Sequence, residues 1–70
     1  MDKNSKWYKD IQILYKVAEK YGDVQVKNDD DKLDEIYREV KEIAEKQDKF
    51  AADLLLAFVI EKKREWQNLT

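Results

Sequence analysis

The chain has no cysteine, no histidine and no proline, and only one glycine in its 70 residues. Without cysteine there is no disulfide, no thiolate nucleophile and no sulfur ligand, so the redox compartment stays open. Without histidine as well, a zinc or other transition-metal site would have to be built from carboxylates alone, and none is expected. The same absence removes the usual general base and the usual pH switch near neutrality. One glycine cannot make a phosphate-cradling loop. Besides tyrosine, the hydroxyl nucleophiles are Ser5 and Thr70, and neither has a histidine to activate it. The sequence therefore points away from an enzyme and from any cofactor or small-molecule substrate.

Long apolar runs are also scarce. The one that exists is Phe50–Ile60, interrupted only by Asp53. Its eleven residues make about 16 Å of helix, where a bilayer needs roughly 20 residues. The opening residues lack the apolar region of a signal peptide. A soluble, cytoplasmic protein is expected.

Charge is what the chain has in abundance. Lys, Arg, Asp and Glu are 43% of residues, with 14 basic against 16 acidic side chains and a net charge of −2. An acidic domain has no global field for nucleic acid or an anionic membrane. The charge is uneven, however. Met1–Tyr21 holds five lysines against three acids, and Gly22–Lys32 four aspartates against two lysines. Leu33–Lys49 holds six acids against four bases.

The periodicity predicts an all-α fold, a small three-helix bundle with helices over about 5–21, 32–47 and 49–67 and an irregular first connection. In the first helix, Trp7, Ile11, Leu14, Ala18 and Tyr21 share one face, with Asn4 or Ser5 as N-cap and Gly22 supplying a left-handed residue at the C-terminus. Val24-Gln25-Val26 alternates like a strand, but has no partner strand, so an extended connector is expected. Asn28–Asp31 then offers caps and negative charge for the second helix, whose seam is Leu33, Ile36, Tyr37, Val40, Ile43 and Ala44. Its remaining surface carries charge pairs at i,i+4.

At Gln47-Asp48-Lys49 no glycine or proline ends the helix. Either Asp48 caps a third helix, or the seam continues into one long second helix and the fold is a helical hairpin. The break is preferred, because a hairpin offers the apolar block too little partner surface. On a helical wheel the block Phe50–Ile60 is apolar around most of its circumference, and a helix that is hydrophobic nearly all round is buried nearly all round. Asp53, paired with Lys49, and Ala57 mark its outward stripe. Beyond Ile60, Glu61-Lys62-Lys63-Arg64-Glu65 reads as a helix emerging into solvent.

Two small helices cannot cover all of that circumference. A non-catalytic interaction module is therefore expected, homodimerising or docking a protein partner through the third helix, with Leu56, Val59, Ile60 and Trp66 as partner-binding residues. An alternative is a small nucleic-acid-binding protein using Lys6, Lys9, Lys16 and Lys20 beside Trp7 and Tyr8. A helix-turn-helix is disfavoured because the most apolar stretch stands where a polar recognition helix belongs. The acidic run fails as a calcium loop: a frame from Asp29 places Leu33, Asp34 and Val40 where an oxygen ligand, glycine and glutamate are needed. Glu35, Glu39 and Glu42 lie opposite the seam and imply no pocket. The lack of His, Cys and Pro and the regular block Asp31–Lys46 also suit an engineered helical protein whose function is its fold or one contact. The untidy Asp23–Asp31 connector and the like-charge pairs Glu35–Glu39 and Glu61–Glu65 argue for a natural one.

Overall fold

The computed structural model describes residues 4–67 and contains three helices, α1 (Lys6–Tyr21), α2 (Asp30–Glu45) and α3 (Lys49–Trp66), with no strand among the described residues. Each helix starts on a side-chain cap. Ser5 Oγ accepts the Tyr8 N–H at 3.1 Å, Asp29 Oδ1 the Lys32 N–H at 3.0 Å, and Asp48 Oδ1 the Ala51 N–H at 3.0 Å. These bonds satisfy donors that a helix start otherwise leaves unpaired. The break before α3 is therefore real. Lys46 and Gln47 donate to the Ile43 and Ala44 carbonyls at 3.1 Å, tightening the end of α2, and Asp48 turns extended at φ −73°, ψ 174°.

The helices run up, down and up, so α1 lies parallel to α3. At one end the Lys6 ammonium is 3.5 Å from Asp48, and Trp7 meets Phe50 edge-on at 4.9 Å between ring centres. At the other end Lys62 reaches Gly22. The middle of the molecule is α3, which packs against both other helices while α1 and α2 touch each other little; the Lys20–Glu39 bridge at 2.7 Å joins their flanks. Val17, Tyr21, Ile36, Val40 and Leu55 form the core with Val26 from the connector. The shape is long, 40 × 21 × 17 Å.

Four expectations are corrected. First, α2 occupies Asp30–Glu45 rather than 32–47, because Asp29 caps it early and two tightened turns end it early. Second, Gly22 is right-handed (φ −56°, ψ −40°), and the left-handed residue is Asn28 at φ 59°. Gly22 is needed for space instead: a Cβ there would stand 2.4 Å from the Ala18 carbonyl oxygen. Third, α1 is rotated about its axis. Trp7 and Ile11 are exposed, while Val17 and Tyr21 are buried and Ile13 and Leu14 pack on the core. The helix turns its Val17 side inward, which leaves Trp7, Ile11 and Tyr15 exposed.

Fourth, α3 does not emerge into solvent after Ile60. Lys62 is only 4% exposed, because it continues the buried stripe Ala51, Leu55, Phe58 at helical spacing. Its ammonium donates to the Gly22 and Val24 carbonyls at 2.9 Å each and to Glu65 Oε2 at 3.3 Å. Three donors meet three acceptors, which is what a buried ammonium requires. Glu65 Oε1 in turn accepts the Val26 N–H at 3.3 Å, and Trp66 Nε1 donates to Asp30 at 2.6 Å. The last turns of α3 thus staple the irregular connector in place. Val26 is thereby sealed into the core.

Candidate interaction surface

A helix flanked on two sides only keeps a strip of its circumference open. On α3 that strip contains Leu56 and Ile60, one turn apart and 54% and 45% exposed, although they belong to the most apolar segment of the chain. The outward pair of Asp53 with Lys49 forms as expected, at 3.3 Å.

Between α2 and α3 the surface sinks into a groove of about 560 Å³. Leu56, Val59, Ile60 and Trp66 line it from α3, so all four residues expected to face a partner stand in one concavity. From α2, Leu33 and Tyr37 complete the apolar lining, and a smaller recess of about 110 Å³ continues it along Tyr37, Leu56 and Val59 toward Ala44 and Ala52. The four α3 residues are not equivalent. Leu56 and Ile60 are open, whereas Val59 packs partly into the core and Trp66 is held by Asp30. The rim is acidic at one end, with Asp30, Asp31 and Asp34 opposed by Lys63. Arg38 offsets part of that charge through its 2.6 Å bond to Asp34.

A second apolar surface was not expected. The rotation of α1 leaves Trp7 54%, Ile11 44% and Tyr15 64% exposed, and Tyr8, Ile11, Gln12 and Tyr15 bound a shallow hollow of about 370 Å³. The burial of Asp10 and the packing of Ile13 on the core go with a helix turned away from the Trp7–Ile11 stripe.

Two of the four α1 lysines are engaged by acidic side chains. Lys6 is engaged by Asp10 and Asp48 at 3.5 Å each and lies over the Trp7 ring, and Lys20 is bound to Glu39. Lys9 and Lys16 stand exposed without an ion pair among the described residues.

Lys6 sits among the groups that join α1 to the start of α3. Asp10 is buried, and its Oδ2 has no hydrogen bond, the Lys6 ammonium being its compensating charge. The Ala51 N–H holds the Asp48 carboxyl below the ordinary carboxylate value, against the opposing effect of desolvation, and Asp10 and Lys6 add to the lowering. These groups knit two helix ends together. A wide concavity of about 880 Å³ on the far side of α2 is lined by that one helix and its C-terminal turn, with Asp31, Glu35, Glu39 and Glu42 along it. No group of three or more acidic side chains suited to hold a metal ion occurs among the described residues. No helix there is long and apolar enough to cross a membrane.

No protein-family model, curated protein or solved structure matches the chain. The surface therefore has to be read from its own chemistry.

Proposed function

We propose that the protein is a non-catalytic interaction module that docks a protein surface, a second copy or a partner, on the open face of α3. The observation that carries this reading is the exposure of Leu56 and Ile60 at the centre of the helix that otherwise forms the core. Leaving a large apolar side chain in water forgoes about 1.5–3 kcal/mol of burial.

Light scattering across a concentration series, with binding of a fluorescent apolar dye, tests the proposal. The wild-type chain is expected to self-associate or to bind the dye. Leu56→Asp and Ile60→Asp are expected to lose both while unfolding within about 0.5 kcal/mol of wild type, since neither position is buried. A monomer that binds no dye at any concentration overturns it.

A further inference from the structure

We infer that the open α2–α3 face pairs with the same face of a second copy, the two running antiparallel about a two-fold axis beside Tyr37 and Leu56. This rests on the docking reading above and adds the partner and its direction. The order of apolar and charged residues along the face carries it.

Tyr37, Leu56 and Val59 line both the groove and the recess that continues it, so they mark the middle of the face. That middle is apolar and open: Tyr37 is 45% exposed, beside Leu56 and Ile60. The ends carry opposite charge. Asp30, Asp31 and Asp34 stand at one end with Lys63 the one base, and Lys41 is the one charged residue lining the recess at the other. Arg38 bonds Asp34 from outside the groove, and the acidic end still holds three acids against two bases. Lys41 has no ion pair among the described residues and lies 6.0 Å from the Tyr37 ring. Glu45 and the Lys49–Asp53 pair line neither hollow.

On α2, Asp34, Tyr37 and Lys41 share one stripe, because steps of three and four residues return to the same side of a helix. A two-fold axis at Tyr37 therefore lays Asp34 of each copy toward Lys41 of the other, and every contact occurs twice. Tyr37, Leu56 and Ile60 meet their own counterparts there, which apolar groups tolerate and charges do not. An apolar centre with unlike ends is what a self-complementary interface needs. A parallel pairing sets aspartates against aspartates, and a uniformly basic partner meets Lys41, so like charge opposes both. Shape agrees: two antiparallel helix pairs facing across their apolar valleys make a four-helix bundle, its core filled from all four helices. Trp7, Ile11 and Tyr15 belong to α1 and stay outside the contact.

Charge reversal tests the arrangement. Lys41→Glu and Asp34→Lys each set like charges across the axis, and the double variant restores unlike charges with the ends exchanged. All these positions are exposed, and circular dichroism checks that the variants fold. Sedimentation equilibrium is run to about 1 mM, the weak end of specific affinity. Wild type is expected to form dimers and nothing larger. Each single variant is expected to dimerise about ten-fold more weakly at low salt, since an exposed charge pair contributes little singly but is met twice by symmetry. The double variant is expected to recover most of that loss, and about 1 M salt to erase the differences. Tyr15→Glu is expected to dimerise like wild type. Single variants as tight as wild type, or a double variant no tighter than either, overturn the inference. If Ile60→Asp is then monomeric, the α3 docking surface stands with another orientation of its partner. Assembly beyond two copies, or loss of the dimer in Tyr15→Glu, also overturns it. So does a wild type that is monomeric throughout yet binds the apolar dye, which assigns the face to a foreign partner.

Discussion

Asp48 accepts the Ala51 N–H with one carboxylate oxygen while the other stands 3.5 Å from Lys6, so the residue that ends one connection also anchors α1 to α3. Both contacts favour its charged form, which is why its pKa lies below the unfolded value. A lowered folded pKa contributes stability that is fully present above the ordinary carboxylate range and is lost as pH falls through the lowered value. Asp48→Asn keeps a capping oxygen and loses the charge. Its melting temperature is expected below that of wild type at neutral pH, with the gap closing as pH falls below the carboxylate range. A gap that is equal at both pH values would show that the charge contributes nothing. At this scale the sequence was legible where chemistry is local: all three caps stand where a Ser or Asp precedes an apolar pattern. It was illegible at Gly22 and Asn28. The glycine serves a close approach to Ala18 rather than a left-handed turn, and the left-handed residue is Asn28, whose turn the Asp29 N–H closes on the Val26 carbonyl.

At the scale of elements, the number, order and type of helices follow from periodicity, and the break at Asp48 from its capping chemistry. The facing of α1 does not follow. Apolar spacing ranks Trp7 and Ile11 with Leu14 and Tyr21, but packing between two neighbours selects the Val17 side and accepts a buried Asp10. Lys62 was missed for a related reason. A wheel counts lysine as polar, yet its stem runs along the core stripe and its three donors find three acceptors. Lys62→Met keeps the stem and removes the donors, leaving the Gly22 and Val24 carbonyls without those bonds. It is expected to destabilise the fold by about 2–3 kcal/mol, the worth of lost hydrogen bonds to a charged group. In a domain of this size that lowers the melting temperature by roughly 10–20 °C. Lys63→Met, one residue along and exposed, is the control. Equal melting temperatures for the two variants would refute the staple.

Taken whole, the molecule is a small three-helix bundle with α3 in the middle, and part of the apolar circumference of Phe50–Ile60 stays exposed at Leu56 and Ile60. The four residues assigned from the wheel do share one groove; the second surface on α1 needed the observed rotation. A face that becomes covered only on association links stability to concentration, because whatever binds the folded state alone stabilises it. The melting temperature of wild type is expected to rise with protein concentration, and that of Ile60→Asp to stay constant. Identical concentration dependence in the two would place the contact elsewhere.

The staple has a consequence in time. Lys62 closes on Gly22 across 40 residues of chain, and ribosomes add about 5–20 residues per second. For some seconds of synthesis, therefore, the connection between the first two helices exists without the side chains that fix it. Val26 has no finished core to enter, and its N–H lacks the Glu65 carboxylate that holds it in the finished fold. The fold is not assembled in the order in which it is made: its earliest connection is set by its latest helix.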